Sequence, residues 1–192
     1  MTNGVVSAMI NDKDIKTTDK HVFFWGSWLS NWYKSTITLE DNFGKPLVFF
    51  TSEQYFMWRK AIEFKDIEIA NKILATKDPK EAKKLGREVH NFDSKHWDKV
   101  KYQIMLTANL HKYSQNKELE KALCSSKFQN KTFVEASPYD RIWGIGMHMN
   151  DIGIDDESNW KGQNLLGKCL TEIRDTYKPL DDEVVAGAIT KI

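Results

Sequence analysis

The chain has 192 residues, 41% hydrophobic and 12% aromatic, which suits one domain with a sizeable core. Its 28 basic and 27 acidic side chains leave a net charge of +1, so no global field favours nucleic acid or a membrane surface. No apolar run reaches transmembrane length, the first residues lack a basic-then-apolar leader, and the two cysteines, Cys124 and Cys169, have neither metal nor redox spacing. The expectation is a cytoplasmic protein with reduced thiols, no membrane partner, no metal and no cofactor. Seven tryptophans are the unusual count, and some are expected to be stacking surfaces for flat rings.

Residues 1–20 are polar and weakly periodic, which reads as an N-terminal arm or one short strand with a turn at Asn11–Asp14. Val22–Trp25 suits a short buried strand ended by Gly26. Asn31, beside Trp32 and Tyr33, can read a ligand edge or close an Asx-turn. Residues 35–40 and 47–50 predict a β-hairpin, with Pro46 at its edge.

Thr51 and Gln54 have capping-box spacing, so a helix begins there. Tyr55–Trp58 is apolar around the whole turn, which predicts a largely buried helix. Glu53 and Lys60 are seven residues apart, which places both on one face about 10 Å apart along the axis. Two readings stay open for this pair. One is a solvated stripe with Lys60 snorkelling outward. The other is a carboxylate and an amine facing a pocket, since burying both without partners is expensive.

A second helical pattern runs from Asp66 to Ala75. Asp78 followed by Pro79 starts a third helix, expected to run on to His90 with Gly86 and Arg87 interrupting it. Arg87 is either a surface arginine or a donor fork for phosphate. Asp93 or Ser94 caps a long helix with an apolar stripe through Trp97, Val100, Ile104 and Ala108. A short helix covers Asn116–Cys124, and Thr132–Val134 reads as a strand.

That strand delivers residues 135–146, where Glu135, Asp140, Arg141, Trp143, Gly144 and Gly146 alternate without helical or strand periodicity. The mixture suits a binding loop, or a turn whose Asp140 and Arg141 are solvated. Residues 150–159 read as a mobile acidic connection. Gln163 and Asn164 stand at the start of a last helix, as caps or ligand contacts, and Pro179 ends it before a tail of residues 179–192. The elements add up to a mainly α chain with a small β element, an α+β domain over residues 21–178.

Five ordered pieces resemble the NADAR family of YbiA-like proteins. They are Phe24–Gly26 with Leu29–Asn31, Thr51–Met57 with Lys60 and Ala61, Leu85–Arg87, Glu135–Gly144, and Trp160 with Gly162–Gly167. The resemblance implies cleavage of N-glycosidic bonds. The substrates it implies are ADP-ribose on guanine in DNA or RNA first, and phosphoribosylated riboflavin-pathway intermediates as the alternative. A non-catalytic ADP-ribose-binding module is the competing class. The resemblance places Glu53, Lys60, Arg87, Asp140, Trp143 and Asn164 at the family's site positions, with Glu53, Lys60 and Asp140 as catalytic groups. Trp25, Gly26, Asn31, Glu135, Gly144 and Trp160 complete the expected substrate-binding set. Trp25 stands where the family's pattern often has tyrosine.

Breaking an N-glycosidic bond develops positive charge at ribose C1′, which a carboxylate near C1′ stabilises. Glu53 suits that role, or that of a base toward water. An amine such as Lys60 permits attack on C1′ of a ring-opened ribose, giving a Schiff base that water releases.

Overall fold

The computed structural model describes residues 10–41 and 43–177. The expected tail of residues 179–192, with Pro179, and residues 1–9 of the expected arm lie outside this range. Strands β1 (Ile15–Thr17), β2 (His21–Phe24) and β5 (Thr132–Glu135) form one sheet in the order β1-β2-β5. The first pair is antiparallel and the second parallel, with Phe24 opposite Glu135. The described end of the expected arm is therefore a strand of this sheet. Strands β3 (Ile37–Glu40) and β4 (Pro46–Phe49) form the expected hairpin.

All four residues of β2 are buried, because both faces of the sheet are covered. Val22, Phe24 and Phe133 face the main core, while Phe23 and Val134 face a second cluster with Ala136, Ile145, Met147 and Ile154. Alternate side chains of a strand point to opposite faces, so an unbroken apolar run needs two apolar neighbours.

Helices α1 (Ser52–Glu63), α2 (Ile67–Ala75), α3 (Pro79–Arg87), α4 (Ser94–Gln115), α5 (Lys117–Leu123) and α6 (Leu165–Thr176) enclose the main core. Helix α1 packs against α2, α3 and α4, and α6 packs against β5 and α4. Thr51 caps α1 by accepting from the Gln54 N–H at 3.1 Å. Gln54 does not complete the capping box at Thr51. Its Oε1 accepts from the Phe50 N–H at 2.8 Å, and its Nε2 donates to the carbonyls of Ile73 and Thr76 at 2.9 and 2.6 Å. One side chain thus fixes the hairpin's exit and the end of α2 to the start of α1.

Helix α3 ends at Arg87 rather than His90. Gly86 lets it press onto α1, since a Cβ there would meet Met57 Sδ at 2.1 Å. Residues 150–159, expected to be a mobile connection, are pinned. Buried His21 contacts Asp155 at 2.8 Å and Glu157 at 3.0 Å, and Ile154 enters the second cluster. Sequence polarity in that stretch reflects exposed carboxylates that meet a buried ring.

Candidate active site

A cleft of about 500 Å³ opens between α1, α3 and the loop that follows β5. Asn31, Glu53, Arg87, Glu135, Asp140 and Trp143 all line it, from four separate stretches of chain. Glu53 sits in the first turn of α1 with 5% of its surface exposed. Its backbone N–H donates to the Asn31 carbonyl at 3.0 Å, which joins the helix start to the loop after β2. Burial pushes the Glu53 carboxyl up to about 7, with Lys83 opposing the shift and Asp140 adding to it.

Glu135 ends β5. Its Oε2 is buried and has no hydrogen-bond partner among the described residues. Burial, then the negative charges of Asp140 and Glu53, push its carboxyl up to about 8. Asp140 organises the loop: its Oδ1 accepts from the N–H groups of Ile142 and Trp143 at 2.9 and 2.8 Å. Trp143 stands edge-on to Phe56, with ring centroids 5.1 Å apart. Gly144 lies so close under the loop that a Cβ would meet the Glu135 carbonyl oxygen at 2.8 Å. It shapes the wall of the cleft and does not line it.

Asn164 is a structural partner of this wall. It adopts left-handed backbone, with φ 54°, and its side chain caps nothing on α6. Instead Oδ1 accepts from the Glu135 N–H at 3.0 Å and Nδ2 donates to the Phe133 carbonyl at 2.9 Å. Asn31 lines the cleft, but its amide is engaged inside: Nδ2 lies 3.1 Å from Met105 Sδ, and Oδ1 accepts from Asn109 at 3.1 Å.

Besides Gly144 and Asn164, four more expected residues lie outside the cleft lining. Lys60 is half-buried behind it, donating to the Gly86 carbonyl at 2.7 Å with Nζ 4.1 Å from the Phe92 ring centroid. Burial and then the Arg87 charge lower its pKa. It shares a helix with Glu53 but reaches the end of α3, whose Gly86 packs closely on α1 and offers its carbonyl to the amine. Trp160 belongs to the second cluster, its indole N–H donating to the Ile154 carbonyl at 2.8 Å. Trp25 packs at 5.9 Å against Tyr139, which does line the cleft, and Gly26 lines a separate small pocket.

Lys83, Trp32, Phe56, Met57 and Tyr139 also line the cleft, together with Ser30, Arg141 and Ile142, and were not in the expected set. Helical spacing carries a signal for some of them. Lys83 precedes Arg87 by four residues, and Phe56 and Met57 follow Glu53 by three and four. Among the described residues, no group of three His, Cys, Asp or Glu side chains is placed to hold a metal ion, and no helix is long and apolar enough to cross a membrane.

Comparison with known proteins gives the family. The chain is 39% identical over 166 residues to an N-glycosidase of Acanthamoeba polyphaga mimivirus, covering 82% of this chain and 96% of that protein. It is 30% identical over 164 residues to an N-glycosidase of Nostoc punctiforme, covering 83% and 94%. The NMR structure of the E. coli protein YbiA superposes with a TM-score of 0.65 at 27% identity, covering 87% of this chain and 90% of that one. Residues 23–178 match the NADAR domain, and the chain belongs to the NADAR family.

Proposed function

We propose that this protein is a hydrolase that cleaves the ribose C1′–N bond of an ADP-ribosyl or phosphoribosyl adduct, with ADP-ribose on guanine in nucleic acid as the leading substrate. The observation that carries the reading is the pair Glu53 and Glu135. Both are carboxyls with pKa values raised to about 7 and about 8, facing one cleft. Buried carboxyls poised near neutrality suit proton transfer better than simple structure. The names of the relatives, both N-glycosidases, support the same class.

Glu135, with the higher pKa, holds a proton at neutral pH and gives it to the departing base nitrogen. The C1′–N bond breaks with its electron pair going to that nitrogen. Ionised Glu53 faces the positive charge at C1′ and takes a proton from the incoming water, whose oxygen bonds to C1′. Asp140, its Oδ1 held by two backbone N–H groups, is placed to orient a ribose hydroxyl through Oδ2. Arg87 and Lys83 supply the charge for phosphate. A non-catalytic reader of ADP-ribose has no use for two desolvated carboxyls beside Asp140.

Lys60 offers a second route. Its lowered pKa favours a neutral amine, though the amine now donates to Gly86. In that route the amine attacks C1′ of the ring-opened sugar, the base nitrogen leaves, and water hydrolyses the lysine imine. Borohydride added during turnover decides between the routes: a sugar adduct on Lys60 supports the covalent one, and Lys60→Arg with near-normal turnover and no adduct rejects it. The substrate itself is tested by incubating the protein separately with ADP-ribosylated guanine DNA and with a phosphoribosylated pyrimidine intermediate of the riboflavin pathway. Mass spectrometry reads which one loses its sugar. Loss from neither sinks the proposal.

A further inference from the structure

His21 is 1% exposed and has a carboxylate on each ring nitrogen: Asp155 lies 2.8 Å from Nδ1 and Glu157 lies 3.0 Å from Nε2. A neutral imidazole has one N–H and one lone pair, so it donates to only one of them. Both contacts are hydrogen bonds only when the ring carries two protons and a positive charge. The cleavage chemistry makes no use of this cluster, and His21 precedes residues 23–178, which match the family.

The two carboxylates are not equivalent. Asp155 also accepts from the Thr18 hydroxyl at 2.7 Å, and the His21 and Thr18 bonds hold its carboxyl below the usual carboxylate range. The Glu157 side chain has no other donor among the described residues. Nearby cations are engaged elsewhere. Lys131, just before β5, donates to the carbonyls of Thr18 and Asp19 at 2.6 and 3.0 Å, and Lys16 of β1 donates to the Met149 carbonyl at 3.1 Å. Lys20 acts through its charge on Asp155 and Asp156, and Asp156 accepts from the Ser158 hydroxyl at 2.7 Å.

The clamp holds a strap, residues 150–159, over the second cluster. Ile154 of the strap packs there with Phe23, Val134, Ala136 and Ile145. Trp160, its ring 5.3 Å from that of His21, donates to the Ile154 carbonyl at 2.8 Å. Val134 and Ala136 flank Glu135, and the Ile145 N–H donates to the Glu135 carbonyl at 3.0 Å. The strap therefore backs the strand end and the loop that form one wall of the cleft.

We propose that His21 is a proton-operated latch: the doubly protonated ring ties the strap to β2 through Asp155 and Glu157, and loss of one proton frees Glu157 and loosens the strap. Asp155 keeps the remaining N–H, because Thr18 anchors it in front of Nδ1. Nε2 then turns a lone pair toward the Glu157 carboxylate, and the two repel. The latch is closed on the acid side and opens as pH rises through the range in which histidine ordinarily changes charge, about pH 5–8.

Nitrogen NMR of the histidine rings and hydrogen exchange, both on the full chain, test this. At about pH 5.5 both His21 nitrogens should carry a proton, and at about pH 8.5 only Nδ1. The amides of Asp156, Asn159 and Trp160 close the turns of the strap. Their protection, corrected for the intrinsic exchange rate, should fall about fivefold between those two conditions, the loss of one partly exposed charge-assisted bond. Glu157→Gln supplies a side chain whose carbonyl accepts from the protonated ring and whose amide donates to the neutral one. In that variant the protection should stay within about twofold across the same range. A ring that holds the same protons at both ends of the range, a ring that titrates while the strap keeps its protection, or wild-type pH dependence in Glu157→Gln overturns the latch.

Discussion

Glu53 shows how a single buried carboxyl ties activity to stability. Its pKa is about 7 in the fold against an ordinary value of 4.5, so the folded state favours the protonated form. The stability this group allows is fully present below about pH 4.5 and is lost as pH rises through about 7. At pH 8 the ionised, desolvated carboxylate destabilises the fold by on the order of 2–3 kcal/mol. Glu53→Gln removes that ionisation. Urea unfolding should show the variant more stable than wild type at pH 8 by up to that amount, with the difference gone at pH 4. Turnover should fall about 10²- to 10⁴-fold, as for loss of a general base. In the wild type, kcat/KM should pass through a narrow maximum between about pH 7 and 8, bounded by Glu53 and Glu135. A variant that is no more stable at high pH would mean that Glu53 is better solvated than its burial implies.

Elements reach the cleft because a few buried polar side chains hold their ends. Lys112, fully buried in α4, donates to the carbonyls of Trp28 and Ser30 at 2.8 and 2.9 Å. It thereby fixes the loop that presents Asn31 and Trp32. Burial lowers its pKa to about 7, so the charged form is penalised and the lysine's contribution is lost as pH falls through 7. Lys112→Met leaves two carbonyls unpaired, each worth about 1–3 kcal/mol. The variant should be less stable than wild type at pH 9 by about 2 kcal/mol, and that gap should narrow or close at pH 6. A gap independent of pH would show that Lys112 keeps its charge throughout. Asn164 does the same for β5 and α6. Asn164→Ala loses both strand contacts and places alanine in left-handed backbone, for a combined loss of about 3 kcal/mol. Asn164→Gly loses the contacts without the strain and should recover about 1 kcal/mol of that. Equal losses in the two variants would remove backbone strain from the account. Both should reduce kcat more than they raise KM, since Glu135 loses its backbone anchor.

Across the whole molecule, the buried ionisable groups pull stability in opposite directions with pH. Glu53 and Glu135 destabilise progressively from about pH 4.5 to 8, while Lys112 recovers from about pH 7 upward. The midpoint of thermal unfolding should therefore fall between pH 5 and about 8 and recover toward pH 10. A double variant, Glu53→Gln with Glu135→Gln, should flatten the falling limb and leave the recovery intact. A midpoint that rises steadily through neutrality would contradict the burial of both carboxyls.

The sequence determined what depends on neighbours along the chain. Thr51 and Asp78 announced their helices because a cap acts over three residues, and Pro46 marked the hairpin edge for a similarly local reason. The family resemblance carried by the ordered motifs put twelve residues at the site before any distance was known, and six of them, Asn31, Glu53, Arg87, Glu135, Asp140 and Trp143, line one cleft. Tertiary structure decided which polar groups face that cleft. Lys60 and Glu53 share a helix face by spacing, but the close packing of α3 on α1 at Gly86 brings a backbone carbonyl to the amine, which donates to it. Asn164 looked like a cap or a ligand contact and is a brace for β5, because its left-handed backbone turns the amide away from its own helix. Nothing in the pattern around Lys112 or Arg174 distinguishes them from surface cations, yet both are buried and bind carbonyls from distant loops. A buried charge is set by partners distant in sequence, and helical periodicity carries no record of them.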